Sequence, residues 1–429
     1  MMKLSPFHTT SSVPDVDDKL IIYSFTTGDI NILSKRVYNQ LLQENFDLDP
    51  AILKYLTEAG IIVNSDIQTK ADLHVGKKLT LILFTGNSCN LRCTYCGESK
   101  GTGSITNLVQ DKIIRFVDQK LSKGQYDQLE VCWFGGEPTL QMKAIRRMSK
   151  ILTRLSAKYS CAYMSRIVTN GVLLSESVFN ILIDECKVYR IEITLDGHRE
   201  WNDTRRKDIH HRGYYDHIIN NVTKLCNLRN DVLISIRCNV DKTNVDGIVP
   251  LLEDIKAKGI ADKIRFYIAS IHEWGSEKGL LSMTTEEFGY LQIEILKYMF
   301  HNGFNLSSHD ILPYSKNVNK CVAESQNVYI IDHEGQLYQC AEEPYTDHEE
   351  AIIGQIGQKL QYKDDMYSFT KEQLSRCLAC PIYPVCAGGC MKRTRVNGQS
   401  DCDPLLYNMK LRLQFAYETF FKESIKKIV

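Results

Sequence analysis

The chain has 429 residues, with 52 Lys and Arg against 52 Asp and Glu. Balanced charge gives no reason to expect nucleic acid or a membrane surface as a partner, and the length allows two to three domains with substantial cores. Residues 1–12 form no apolar signal segment and no apolar run is long enough to span a bilayer, so a cytoplasmic protein is expected. In that reducing compartment the 15 cysteines are material for metal ligation rather than for disulfides.

In chain order, residues 19–65 read as a small unit. K-L-I-I-Y-S-F and D-I-N-I-L form two strands turning at Thr26–Thr27–Gly28. Helices follow around 34–45 and 50–59, Gly60 ends the second, and I-I-V makes a short returning strand. Residues 76–270 repeat strand and helix. Apolar strand-like runs lie at 79–85, 129–134, 163–169, 189–195, 233–239 and 263–268. Helical stretches lie near 108–121, 140–158, 175–186, 214–228 and 244–258. Near-continuous apolar strands joined by helices give a parallel sheet covered by helices. Six units are too few for a closed eight-stranded barrel, so the expected fold is α/β, a partial (β/α)6 TIM-like barrel open on one side. Residues 321–402 hold few regular elements and seven cysteines, as a metal-stapled domain would. Residues 404–427 read as a final amphipathic helix.

Cys89, Cys93 and Cys96 lie in T-G-N-S-C-N-L-R-C-T-Y-C-G, a C-x3-C-x2-C spacing on the loop that leaves the C-terminal end of the first strand. Ligand sites in parallel α/β folds lie at that end. Three thiolates can grip three corners of a cubane cluster and leave the fourth iron open, whereas a structural zinc site wants a fourth protein ligand close by. With Tyr95 before the last cysteine, these residues resemble the radical S-adenosylmethionine (radical SAM) superfamily. The resemblance implies that the open iron chelates SAM, whose reductive cleavage releases a 5′-deoxyadenosyl radical.

Further residues of the resemblance stand in order at successive strand ends. Gly135, Gly136, Glu137 and Pro138 follow the second strand; two glycines let the backbone approach a ligand closely. By resemblance, Glu137 or the glycine carbonyls accept from the methionyl ammonium. Asn170, in T-N-G, ends the third strand. Thr194 and Asp196, in T-L-D-G, end the fourth, and Thr194 corresponds to a SAM-contacting hydroxyl. Of Arg205 and Arg206, Arg206 is the one expected to grip the methionyl carboxylate through its guanidinium fork. Ile264 is expected against the adenine. With Tyr95 these residues make the expected cofactor-binding set.

Cys321 and Cys340 sit in a C-x13-G-x4-C frame through Gly335. Cys377, Cys380, Cys386 and Cys390 form C-x2-C-x5-C-x3-C, and Cys402 closes the set. In isolation such spacing suits zinc as well as iron–sulfur. Behind a radical SAM core it resembles the SPASM domain, which houses auxiliary 4Fe–4S clusters. Carried over, Cys377, Cys380, Cys386 and Cys402 hold an outer cluster, and Cys321, Cys340 and Cys390 an inner one. No cysteine lies within 322–339 to complete the inner set. That leaves an open iron or a non-cysteine ligand, for which His333, Glu324 and Glu342 are candidates. The resemblance thus implies three 4Fe–4S clusters and SAM. Cys132, Cys161, Cys186, Cys226 and Cys238 read as small buried hydrophobes. Trp201, His210 and His211 read as a solvated loop. The aromatic stretch 267–275 either borders a substrate channel or is ordinary loop packing.

The expected organisation is a leader-peptide recognition-like, winged-helix module over 1–75, a radical SAM partial barrel over 76–305 and a SPASM domain with a C-terminal helix over 306–429. The small first unit resembles the leader-recognition element of enzymes that modify ribosomal peptides, in which an extended peptide adds a strand to a hairpin edge. The expected function is a peptide maturase that installs a thioether, ether or carbon–carbon cross-link. Its expected partners are a ribosomal precursor peptide and an electron donor such as flavodoxin or ferredoxin, with no nucleic acid and no membrane. An anaerobic sulfatase-maturating enzyme is the rival. In that group an acidic base follows the second auxiliary cysteine directly, whereas here Ala341 follows Cys340 and Glu342 comes one later. No residue is singled out by the sequence for proton transfer to substrate.

Overall fold

The computed structural model of the protein describes residues 2–423 except 15, 65–76, 99, 273–280, 316–320, 346–348, 364–370 and 398–400. In the first 64 residues, β1 (Met2–Leu4) pairs antiparallel with β5 (Ile62–Asn64). Between them, β2 (His8–Val13), β3 (Val16–Ser24) and β4 (Ile30–Ser34) form an antiparallel meander. Two capped helices follow β4. In α1 (Lys35–Leu42) the Ser34 side chain accepts from the Val37 N–H; in α2 (Pro50–Glu58) Asp49 accepts from Ala51 and Pro50 opens the first turn. Gly60, at φ +68°, follows α2 in the left-handed region. The expected hairpin and helices are present, but β2 was not expected. Its H-T-T-S-S-V carries no apolar period, and pairing with β3 rather than its own pattern makes it a strand.

Next come β6 (Lys78–Phe84), the two-residue β7 (Arg92–Cys93), α3 (Asn107–Leu121), β8 (Gln128–Phe134), α4 (Met142–Lys158), β9 (Ala162–Thr169) and α5 (Glu176–Asn180). They are followed by β10 (Val188–Thr194), α6 (Arg199–Arg205), the two-residue β11 (Arg206–Lys207), α7 (Tyr215–Leu228), β12 (Leu233–Val240), α8 (Ile248–Ala257), β13 (Ile264–Ser270) and α9 (Thr285–His301). The remainder comprises α10 (Ser308–Ile311), β14 (Val328–Ile331), β15 (Gln336–Tyr338), β16 (Ile352–Gln355), α11 (Lys371–Leu378), α12 (Tyr383–Cys386), α13 (Met391–Asn397) and α14 (Leu405–Ala416). The expected helix at 404–427 runs through α14 and a wider turn to Phe421, and residues 424–427 lie outside the described residues.

The result is a mixed α/β fold with a large, mainly parallel sheet in the order β13-β12-β10-β9-β8-β6-β14-β15-β16. The six expected strands are parallel neighbours in chain order, as a TIM-like half-barrel requires. Leu79, Leu81, Leu83, Val131, Ile191, Ile193 and Ile236 point to one face and are buried under α3, α4, α7 and α8, which is the period-2 alternation of a covered sheet. The cysteine-rich segment is more regular than its sequence suggests: β14 adds to β6 in parallel and β15 and β16 follow antiparallel. V-Y-I-I is too short to stand out alone, and the exposed edge of β6 recruits it. Among the described residues no helix is long and apolar enough to cross a membrane.

The meander β2–β3–β4 uses both of its faces. Ile22 and Leu33 face α1 and α2 in one core with Val37, Leu41 and Leu56. Ile21, Tyr23, Phe25 and Ile32, on the alternate face, join Ile293, Leu405, Leu413 and Phe415 of α9 and α14, and Ile382 and Val385 beside α12. The Tyr23 hydroxyl donates to the Leu312 carbonyl at 3.1 Å. The first unit is thereby tied to the C-terminal segment by a shared apolar core. Leu413 is fully buried in it, so Leu413→Ala should cost about 2–5 kcal/mol; a lowered midpoint in thermal unfolding followed by circular dichroism checks this.

Candidate active site

The cysteine loop leaves β6 after Phe84 and is clamped from two sides. On one side, Gly135 and Gly136 end β8 and press against residues 86–88. The Gly136 N–H donates to the Gly86 carbonyl at 3.0 Å and the Glu137 N–H to the Ser88 carbonyl at 2.9 Å. Gly135 stands at φ +117°, and a Cβ on Gly136 would lie 2.3 Å from the Ser88 carbonyl oxygen. The glycines thus let the backbone approach, as expected, but what approaches is the loop that carries Cys89. Glu137 is 2% exposed, and both of its carboxylate oxygens are engaged. One accepts from the Thr139 N–H at 2.9 Å and the Thr169 hydroxyl at 2.6 Å, the other from the Asn170 N–H at 2.7 Å. Glu137 therefore welds the ends of β8 and β9 together, which leaves the glycine backbone as the freer half of that motif. Asn170 passes the link on to the loop, donating to Asn90 Oδ1 at 2.7 Å, with Cys89 Sγ 3.9 Å away.

On the other side, β7 and β11 form a two-residue antiparallel bridge that sets Arg206 opposite Cys93 and Lys207 opposite Arg92. The Thr94 N–H donates to the Arg205 carbonyl at 2.9 Å. Under this bridge the Tyr95 hydroxyl donates to Asp196 Oδ2 at 2.5 Å and accepts from Arg206 at 2.5 Å and Asn239 at 3.0 Å. Asp196 is fully buried, and its other oxygen accepts the Asn239 N–H at 2.9 Å. Arg205 also meets the loop, its guanidinium 5.2 Å from the centroid of the Tyr95 ring, but its Nη1 is taken by Asp241 Oδ1 at 2.9 Å and the Thr243 hydroxyl at 2.6 Å. The two arginines are therefore told apart by their hydrogen-bond partners, and Arg206 is the one bonded to the Tyr95 hydroxyl. Tyr95, Asp196 and Arg206 meet on this side of the loop and Asn170 on the other, and Thr194 at the end of β10 is buried. Asn90, bonded to Asn170 on the first side, and Asn239, bonded to Tyr95 and Asp196 on the second, were missed, because a lone Asn in a loop or strand carries no sequence signal.

Ile264 is not part of this site. It is the first residue of β13, in register with Ile234 near the start of β12, so it stands at the opposite end of the strands from the cysteine loop, about 20 Å away along a seven-residue strand. It packs in the helix-covered core.

The loop suits an anionic cluster. Cys89, Cys93 and Cys96 are partly exposed, unlike the buried Cys132, Cys161, Cys186, Cys226 and Cys238, which are core residues as expected. Burial raises the Cys93 thiol to about 11, against which Arg206 acts; burial likewise raises Cys89, opposed by Lys100. Lys100 Nζ lies 3.0 Å from Cys96 Sγ. Cations beside the three sulfurs favour thiolates and a negatively charged group bound to them. Arg206 Nε is buried with no hydrogen-bond partner, as are Arg205 Nε and Nη2; these donors suit an acceptor such as a carboxylate.

The distal cysteines form two groups. Cys377, Cys380, Cys386 and Cys402 line a single cavity of about 250 Å³, with Ile382, Tyr383 and Leu406 in its wall. Cys321 and Cys340 share a small cluster with Ala323 and Met391, and Cys390 is close enough to act electrostatically on Cys321. This is the partition expected for outer and inner sites. Among the described residues no three Cys, His, Asp or Glu side chains close around a single metal ion, so the fit is one of donor type and grouping. Of the inner-site candidates, Glu324 lies near Cys321 and the Glu342 N–H donates to the Cys340 sulfur. His333 does not qualify: its Nε2 lies 2.3 Å from where a Cβ on Gly103 would stand, so it packs on the first cysteine loop. His210 and His211 are exposed, as a solvated loop should be, while Trp201 packs on Gly197 and Gly247. Of the stretch 267–275, residues 273–275 lie outside the described residues, and His272 meets Arg393 at 2.6 Å.

Residues 83–255 match the Radical SAM superfamily, and a domain of that kind implies a 4Fe–4S cluster and SAM. Among curated proteins it is similar to the GTP 3′,8-cyclase of Clostridium perfringens (strain SM101 / Type A), 25% identical over 270 residues that make up 59% of this chain and 77% of that protein. It is also similar to the cysteine-type anaerobic sulfatase-maturating enzyme of Clostridium novyi (strain NT), 22% identical over 384 residues, 82% of this chain and 96% of that one. Among solved structures, native anSMEcpe with bound AdoMet superposes with a TM-score of 0.57 at 18% identity, covering 79% of this chain and 96% of its own. Streptococcus suis SuiB bound to precursor peptide SuiA superposes with a TM-score of 0.53 at 16% identity, covering 94% of this chain and 98% of its own. These structural likenesses are likenesses of fold.

Gly136→Ala should push the Ser88 carbonyl away and displace Cys89. Iron bound per chain after reconstitution is expected to fall while the far-ultraviolet circular dichroism spectrum stays unchanged; full iron content would contradict the clamp.

Proposed function

We propose that this protein is a radical SAM/SPASM oxidoreductase that installs an oxidative cross-link (thioether, ether or carbon–carbon) in a ribosomally synthesised peptide. The observation that carries the reading is the seating of residues 2–64. This unit shares a core with α9 and α14 and packs beside α12 and Cys380 and Cys386, while β4 ends its sheet. A strand-adding peptide would then be held next to the cysteine-rich segment. The coverage figures support this. SuiB spans 94% of the chain and anSMEcpe 79%, a difference about the size of this unit.

Bound SAM and its cluster supply a hydrogen-abstracting 5′-deoxyadenosyl radical, and two auxiliary clusters supply an acceptor for the electron left after bond formation. Cys89, Cys93 and Cys96 would hold the first cluster. The backbone of Gly135 and Gly136 would face the methionyl ammonium, and Arg206 its carboxylate, with Tyr95, Asn170, Thr194 and Asp196 fixing these groups in place. Cys377, Cys380, Cys386 and Cys402 would hold the outer cluster; Cys321, Cys340 and Cys390 would hold the inner one. An electron donor such as flavodoxin or ferredoxin completes the partners. Replacing Cys89, Cys93 and Cys96 together by Ala should abolish 5′-deoxyadenosine formation from SAM and dithionite, followed by chromatography; survival of the product would sink the reading.

Sulfatase maturation is the second reading, favoured by the near-complete alignment with the Clostridium novyi protein. Mass spectrometry separates the two: a cross-linked precursor peptide supports the first, formylglycine in a sulfatase-derived peptide the second.

The peptide edge can be tested without removing the unit, whose loss would expose the shared core. The Ser24 N–H donates to the Asp29 carbonyl and Ile22 pairs with Asn31. Ladder alternation therefore turns the Ile30 N–H outward. Ile30→Pro deletes that donor. Precursor-peptide affinity measured by fluorescence anisotropy should fall about tenfold, the scale of one hydrogen bond, with 5′-deoxyadenosine formation from SAM and dithionite unchanged.

A further inference from the structure

Among the described residues, three ion pairs have both side chains less than a tenth exposed: Arg205–Asp241, Arg206–Asp196 and Lys392–Glu343. The first two flank the cysteine loop already described. The third lies in the C-terminal segment, where the local apolar cluster has only Ala323, Cys340 and Met391 as buried members. Lys392 is 2% exposed and its Nζ stands 3.2 Å from Glu343 Oε2; Glu343 is fully buried. The same ammonium donates to the Glu342 carbonyl at 2.8 Å. Arg395 takes the other Glu343 oxygen at 3.0 Å.

Burying a lysine and a glutamate together is costly unless every donor and acceptor is met. Here the pair joins two stretches about fifty residues apart in the chain. Glu343 follows Cys340 by three residues, and the Glu343 N–H donates to the Cys340 carbonyl at 3.2 Å. Lys392 follows Cys390 by two, on α13, where the Thr394 N–H donates to the Cys390 carbonyl at 2.9 Å. The ion pair therefore spans the gap between two cysteines that approach from different segments. The positive charge of Lys392 also acts on the Cys340 sulfur.

We propose that Lys392 is a positioning residue of the inner cluster site: its ammonium, locked between Glu343 and the Glu342 carbonyl, sets the spacing of Cys340 and Cys390 and places a fixed positive charge beside the cluster they hold. The inference rests on the three-cluster reading above. One-electron reduction adds one negative charge to such a cluster, and a nearby fixed cation stabilises the reduced form and raises its potential. Removing the cation should lower the potential, and removing Glu343 should raise it.

The test uses the full chain reconstituted with iron and sulfide and titrated with dithionite under electron paramagnetic resonance. The inner-cluster signal is the one that C340A removes. K392M is expected to lose that signal or shift its midpoint to more negative potential. K392R is expected to restore both signal and midpoint, and E343Q to move the midpoint the opposite way. If K392M does not fold, the opposed behaviour of K392R and E343Q carries the same test. The proposal is overturned if C340A removes no signal, if K392M leaves signal and midpoint as in the wild type, or if K392R departs as far as K392M. 5′-Deoxyadenosine formation from SAM by the wild-type protein is measured alongside. Its absence from the wild type itself would count against the enzymatic reading rather than against Lys392.

Discussion

The antiparallel bridge between Arg92–Cys93 and Arg206–Lys207 joins the loop after the first barrel strand to the segment after the fourth. Two backbone pairs are a small contact, yet they decide what Arg206 can reach. Without them its guanidinium would sit on a loop of its own, free to sample solvent. With them it is buried against Tyr95 and Asp196, and one donor is left without a partner. Asp196 in turn holds β10 to β12 through Asn239. The loop, Arg206 and the ends of two strands are thus joined by one set of hydrogen bonds. On the other flank Glu137 does the same for β8 and β9.

Among the described residues, the ion pairs with both side chains buried lie beside grouped cysteines. A buried ion pair adds little net stability to a fold, because desolvation offsets most of the attraction. Its effect is to fix geometry, since each charged atom must find its partner or leave a large penalty. That logic explains Arg205, Arg206 and Lys392 better than a stability argument does. The outer group of cysteines relies on a different device, a small cavity with apolar walls that adjoins the core shared with the first unit.

Much of the core was legible because its signals are local. Six apolar runs alternate with helical stretches, and each strand recurs in the structure within a residue or two. The cysteine spacings pointed to the two groups into which the distal cysteines fall. Three features were not legible. β2 lacks an apolar period and exists through pairing. β14 is four residues long and is recruited by the open edge of β6. Ile264 was expected at the ligand end, but strand register put it at the other end of β13, since a strand's residues look alike in sequence from one end to the other.

The sequence by itself determined the fold class, the cysteine grouping and the residue types at the strand ends, because period, spacing and turn chemistry are properties of neighbours in the chain. Only the tertiary structure decided that Arg205 is taken by Asp241 and that Glu137 is spent on internal hydrogen bonds. It alone set His333 against the first cysteine loop and joined Lys392, two residues after Cys390, to Glu343, three after Cys340. Those outcomes depend on contacts between segments tens to hundreds of residues apart, whose geometry is set by strand register and by the demand that every buried charge be paired.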